Sequence, residues 1–220
     1  MKFSKMLLPV SCIMFAGSLV LSCNNEGDKT DNSMQADSNS TISLDSSSKV
    51  NSATDNMNAM ADTMPVPMVD KATATINGTY PDTAVNGTAT FETIKDGKVK
   101  MKLEITIAAK ANKTVAVHLH EHGDCADNGK ASHGHWNPTN AQHGKWGSAS
   151  FHLGDIGNVK LDAKGKGSIT ITTDLWTLGG KADKNILGKA MIVHGGTDDY
   201  TTQPTGNAGS RIGCGVIEGK

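Results

Sequence analysis

The chain has 220 residues, 37% of them hydrophobic and only 4% aromatic, with a formal charge of −1 at neutral pH. No basic block is dense enough for a nucleic-acid partner, so that class is set aside. The near-neutral total conceals two unlike parts: residues 24–70 carry eight acidic and two basic groups, a net of −6, whereas residues 71–220 carry fourteen acidic and seventeen basic groups, a net of +3. A mildly basic domain behind an acidic segment is compatible with an anionic substrate.

The chain opens with Lys2 and Lys5 ahead of an apolar core that ends at Leu19-Val20-Leu21-Ser22-Cys23. A charged start, an apolar core and a small residue before the cysteine mark residues 1–22 as a secretory signal. Pro9 and the shortness of the span leave it below the ~20 residues that a membrane-crossing helix needs. Two forms of signal fit: an ordinary cleaved one in which Cys23 is incidental, and a bacterial lipoprotein signal, which the segment resembles. The second implies that Cys23 is lipidated and becomes the mature N-terminus. It places the protein at the bacterial cell envelope, held to a membrane through its N-terminal lipid only, with its domain in the periplasm or at the cell surface. Cys12 lies inside the signal and leaves with it.

Residues 23–70 form a tether rich in Ser, Asn, Asp, Thr and Met, which cannot bury enough apolar surface to fold. Met57, Met60, Met64 and Met68 recur towards its end. Thioethers prefer copper(I), so a copper-capturing arm is conceivable. Pro65 and Pro67 oppose an amphipathic helix there, and compositional drift in a solvated linker is the plainer account.

Residues 71–220 are expected to form one all-β domain, long enough for a single core. Segments 71–80, 85–94, 99–108 and 113–120 alternate apolar and polar residues, with Asn86-Gly87 and Asp96-Gly97 as turn signals between or near them. Further strands are expected at 157–163, 167–173, 186–194 and 214–218, separated by turns such as Lys164-Gly165-Lys166-Gly167. Strands at such short intervals suggest a sandwich or flattened barrel.

All eight histidines fall between positions 118 and 194. His118 and His120 end an expected strand, and residues two apart on a strand share a face, so both imidazoles can reach one ion. His135, His143, His152 and Asp155 lie in a long glycine-rich stretch without periodicity, whose order a bound metal would explain. His194 ends the apolar run Ala190–Val193 and delivers a ligand at a strand tip. Neutral imidazole is the commonest ligand for zinc and copper. The bland alternatives are a histidine-rich loop binding metal loosely, or core histidines satisfied by hydrogen bonds. Six histidines and an aspartate in mutual support argue against both. His122 and His133 each stand two residues from one of these ligands, and nothing in the sequence completes a site around them. Arg211 is the only arginine in the chain, which suggests a task for a planar guanidinium that lysine performs less well.

The segments His118-Leu119-His120-Glu121-His122-Gly123-Asp124, Gly134-His135-Trp136-Asn137-Pro138, His152-Leu153-Gly154-Asp155-Ile156-Gly157-Asn158 and Gly206-Asn207-Ala208-Gly209-Ser210-Arg211-Ile212-Gly213-Cys214-Gly215 resemble the copper/zinc superoxide dismutase family. The resemblance covers about the last 150 residues and is weaker over 71–114. It implies an eight-stranded Greek-key barrel with long metal-binding loops, holding one copper and one zinc per subunit. His118, His120, His135 and His194 would hold copper, and His135, His143, His152 and Asp155 zinc, with His135 bridging the two. Asp198 would hydrogen-bond His118 and His143, and Cys125 and Cys214 would form the intrachain disulfide. The implied activity turns two superoxide anions and two protons into oxygen and hydrogen peroxide by copper redox cycling, with His135 carrying a proton and Arg211 guiding the anion. A homodimer is compatible with the resemblance. Thr201-Thr202-Gln203-Pro204 stands where eukaryotic relatives carry charged residues, a departure that bears on electrostatic steering. A non-catalytic copper-binding or copper-delivery protein of the same fold is the competing expectation.

Overall fold

The structure, a computed structural model, describes residues 65–220. The expected signal peptide, Cys12, Cys23 and the tether through Met57, Met60 and Met64 lie outside the described residues. Among the described residues no helix is long and apolar enough to cross a membrane.

Among the described residues nine strands follow in chain order: β1 Lys71–Gly78, β2 Asn86–Thr93, β3 Val99–Thr106, β4 Thr114–His120, β5 Gly157–Lys160, β6 Lys166–Thr173, β7 Ala190–His194, β8 Arg211–Val216 and β9 Glu218–Gly219. All pairings are antiparallel, and the order is β5-β4-β7-β8-β1-β2-β3-β6, with β9 added beside β1. The two ends of that order, β5 and β6, lie against each other and nearly close an eight-stranded barrel. The connections that leap across the order, β3 to β4 and β6 to β7, give it Greek-key character.

Period-two alternation builds the barrel. In β3, Val99, Met101, Leu103 and Ile105 are buried while Lys100, Lys102 and Glu104 are exposed. Each fully buried aliphatic side chain contributes roughly 1.5–3 kcal/mol. Trimming the fully buried Leu103 to alanine would cost about 2–5 kcal/mol once the cavity is included. In β4 the alternation fails because both faces are covered: Val115, Val117 and Leu119 enter the core, and Ala116, His118 and His120 are buried as well.

The structure departs from the sequence reading at several points. Asn86-Gly87 is not a turn but the start of β2, paired with Thr106 and Ile105. Gly87 is there for space, since a Cβ would lie 2.7 Å from Ile105 Cγ2. Strand β7 begins at Ala190 rather than 186, after a turn in which Gly188 takes φ +74°. Strand β8 begins at Arg211 rather than 214, because Arg211 pairs with His194. Asp96-Gly97 does form a turn, with both residues left-handed. The last residues of the expected tether are ordered against the domain: Val66 and Gly180 exchange backbone hydrogen bonds, and Val69 N–H donates to Leu178 O.

Candidate metal centre

Three parts of the chain converge beyond the end of β4. Pairing with β7 sets Ile192 opposite His118 and Ala190 opposite His120, and leaves His194 at the strand's end. The segment 121–156 holds no strand, only one short 3-10 turn at Lys130–Ser132. It returns to β4 through the His120–His135 bridge. Trp136 N–H donates to Leu119 O at 2.8 Å, and Leu119 N–H donates to Gly154 O at 2.8 Å. The loop is thereby stitched to the strand that carries the first two histidines.

The result is two groups of buried donors. Donor atoms of His118, His120, His135 and His194 lie within 4.8 Å of one another, as do those of His135, His143, His152 and Asp155. His135 belongs to both. Hydrogen bonds decide which nitrogen each ring presents. His120 Nδ1 is 2.8 Å from His133 O and His194 Nδ1 is 3.2 Å from Gly209 O. A carbonyl only accepts, so both rings carry their proton on Nδ1 and present Nε2. His118 Nε2 and His143 Nε2 each lie 2.9 Å from a different oxygen of Asp198, which leaves Nδ1 of each facing inward. Asp198 thus sets one ring from each group.

The supports of Asp198 were not foreseen from sequence. Asn158 clamps its backbone, Asp198 N–H donating to Asn158 Oδ1 and Asn158 Nδ2 donating to Asp198 O. Gln203 clamps the backbone of His143 in the same two-point manner. Gly206, at φ +68°, admits the carboxylate: a Cβ there would overlap Asp198 Oδ1 and sit 2.5 Å from His143 Nε2. Asn158 and Gly206 fall within family-like motifs, but only the folded chain shows what they touch.

A sequence model of the family described as copper/zinc superoxide dismutase (SODC) matches residues 85–217. The chain belongs to the copper/zinc superoxide dismutase family. It is 37% identical over 160 residues to a superoxide dismutase [Cu-Zn] of Paramecium bursaria Chlorella virus 1, a match covering 67% of this chain and 83% of that one. It is 34% identical over 154 residues to the Podospora anserina superoxide dismutase [Cu-Zn], covering 67% and 96%. A crystal structure of the clock protein EA4 superposes with a TM-score of 0.60 at 33% identity, covering 69% of this chain and 96% of that one.

Copper and zinc are the metals of a copper/zinc superoxide dismutase, and the residues present suit them. His118 Nδ1, His120 Nε2, His135 Nε2, His143 Nδ1 and His194 Nε2 are buried without a hydrogen-bond partner. His143 Nδ1 lies 3.0 Å from Asp155 Oδ2 but makes no hydrogen bond with it. Each such orphan costs about 1–3 kcal/mol unless something else engages it, and five together in one centre point to ions as the missing partners. Four imidazole nitrogens suit tetragonal copper(II). Three imidazoles and a carboxylate make a closed tetrahedral zinc set.

Electrostatics keep these side chains in forms that can bind metal. Burial pushes His135 down to about 4, against a partly restoring hydrogen bond to Asp155, and burial with His118 nearby pushes His194 down to about 3. Burial and the neighbouring His135 also hold His120 well below its ordinary value. All three rings are therefore neutral near pH 7, the state that binds metal. Burial works to raise the Asp155 carboxyl, but hydrogen bonds from His135 and His152 and from the backbone of His152 and Gly144 outweigh it and hold it far below the carboxylate range.

Arg211, the first residue of β8, pairs with His194 at the end of β7. Its Nη1 donates to Gly129 O at 2.7 Å and Ser132 Oγ at 3.1 Å, and its Nη2 donates to His133 O at 2.6 Å. The guanidinium is thus caged by the start of the metal loop. The Cys125–Cys214 disulfide joins that same stretch to β8 across 89 residues. Closing a loop of this length stabilises a fold by roughly 4–5 kcal/mol on chain entropy alone. The bond therefore fixes the cage around Arg211 as well as the barrel.

Proposed function

We propose that this chain is an exported, lipid-anchored superoxide dismutase that protects the cell envelope, with copper held by His118, His120, His135 and His194 and zinc by His135, His143, His152 and Asp155. The observation that carries this reading is the meeting of two buried donor groups on one imidazole, His135, beside the chain's only arginine. Copper, when bound, supplies the one-electron chemistry that takes one superoxide to oxygen and a second, with two protons, to hydrogen peroxide. The protein supplies placement, protons and field. His143, His152 and Asp155 restrain His135 from its Nδ1 side, so its Nε2 stays aimed at the first group. That Nε2 is the atom we assign to hold a proton and pass it to the reduced product. Arg211, charged at any relevant pH, draws the anion towards His194 and holds it there. A copper carrier would need the ligands but has no use for a caged guanidinium on the residue paired with His194.

The envelope assignment rests on the signal pattern of residues 1–22 and on Cys23. Changing Cys23 to alanine should abolish fatty-acid labelling and release the protein from the membrane fraction. Labelling that persists in the variant would place the anchor elsewhere. The catalytic part is tested on the purified full-length protein by metal analysis and superoxide decay. One copper and one zinc per chain with rapid decay is the expected result. Full metal occupancy without turnover would leave a copper carrier instead.

A further inference from the structure

Beyond the two buried groups, the described residues bring together one more set of metal-ligating side chains. Donor atoms of Glu121, His122 and His133 lie within 4.8 Å of one another, and all three residues are exposed. We propose that these residues form a separate, solvent-facing site for a divalent cation of the zinc class.

In sequence His122 and His133 lacked a partner, and the fold supplies one. Beyond the His120–His135 bridge the two segments stay side by side, which brings His122 next to His133. Glu121 N–H donates to Gly134 O and His122 N–H to Ser132 O, so the ribbon is held by its own backbone. The two imidazoles meet edge to face with centroids 4.4 Å apart. Among the described residues, no hydrogen bond or ion pair engages either ring or the Glu121 carboxylate. Two imidazoles and a carboxylate are an established zinc-ligand set, and three protein ligands leave a position for water.

His133 provides a second argument. Its backbone sits at φ +61° and ψ −143°, a region that is otherwise glycine's and costs a side-chain-bearing residue about 1–3 kcal/mol. Its carbonyl has work to do, accepting from His120 and Arg211. A glycine would place that carbonyl equally well and without strain. What the strain retains is the imidazole. One feature opposes a cation: Lys189 Nζ donates to Glu121 O at 2.9 Å, so the site is expected to bind less tightly than the buried groups.

The test uses full-length protein loaded with copper and zinc and then dialysed against graded free Zn²⁺. The native protein should bind one more zinc per chain than His122→Ala. Glu121→Gln should need roughly tenfold more free zinc to reach the same occupancy. His133→Gly should lose the additional ion and melt at a higher temperature. The tether is identical in all four proteins, so any zinc it takes cancels in the comparison. Superoxide decay, read in parallel, should be unchanged in His122→Ala; a failure of turnover in the native protein would strike the proposed function and leave the zinc difference readable. Equal zinc uptake by native, His122→Ala and Glu121→Gln proteins would overturn the site.

Discussion

The two buried donor groups share His135 and differ in what holds the rest of their members. His118, His120 and His194 stand on β4 and β7, whose backbones are fixed by sheet pairing on both sides. His143, His152 and Asp155 stand on a segment without strands, and Asp155 itself organises it, accepting from the backbone N–H groups of Gly144 and His152 and lying 2.8 Å from His135 Nδ1. One group is prepared by the barrel. The other is prepared by a carboxylate that is also one of its donors. Losing a donor should therefore act locally in the first group and more widely in the second.

The largest effects should come from breaking each group in turn. His120→Ala should abolish copper retention and superoxide turnover, because a buried position loses its only ring while β4 stays paired. The second group should still hold zinc. Asp155→Ala should strip zinc first and loosen the loop around it, since its carboxylate serves that group alone. Metal content by mass spectrometry and loop protection by hydrogen exchange would read both. Selective loss of copper from Asp155→Ala would overturn the division of ligands.

Asp198 joins the two groups, so it sharpens the comparison at intermediate size. Removing a carboxylate that orients ligand imidazoles typically costs about 10–100-fold in metal affinity. Asp198→Ala should weaken both ions, whereas Asp155→Ala should first weaken one. Competition with a chelator measures each affinity; an Asp198 variant that weakened only one would show that its bridge serves a single group.

The barrel was largely legible because alternation is local. β1 to β3, β5 and β6 appear where apolar and polar residues interchange, within a few residues of the expected limits. Asn86-Gly87 misled because a glycine admitted for the close approach of Ile105 looks the same in sequence as one admitted for a turn. The donors were legible through residue type and spacing, and the family-like motifs assigned them. What stayed hidden was contact between distant segments: the Asn158 and Gln203 clamps, the carbonyl cage of Arg211, and Glu121 beside His122 and His133. No local pattern encodes a backbone carbonyl as a partner.

The comparison also predicts how the metal-free protein responds to acid. His135 and His194 refuse protons in the folded state down to about 4 and about 3, whereas an unfolded histidine takes one near its ordinary value of 6.5. The unfolded chain therefore gains protons first as pH falls. Stability is fully present above about 6.5, declines below it, and stops declining on this account once the folded values are passed. The carboxylates Asp155 and Asp198, whose folded values are depressed, extend the loss to lower pH. Urea melts of chelator-stripped protein between pH 7.5 and 4 would show it. A flat midpoint from pH 7 to 5 would mean that these rings are not held neutral by burial.

The smallest expected effect concerns neither group's ligands but the charge between them and solvent. Arg211→Ala should leave copper and zinc in place, because no donor is removed, and should lower the bimolecular rate roughly tenfold or more, in the range that steering fields supply. Part of any loss could come from the cage, since Gly129 O, Ser132 Oγ and His133 O would lose their donor. Arg211→Lys separates the two: it keeps a charge while giving up the planar fork, so its rate should fall between the others. Salt separates them again. Screening should slow the native protein more than the alanine variant, as only the native carries the charge being screened. A purely structural role for Arg211 would give equal salt slopes in the two proteins. Equal rates for native and alanine forms at low ionic strength would remove Arg211 from substrate capture altogether, and would leave the +3 balance of residues 71–220 as the remaining source of attraction.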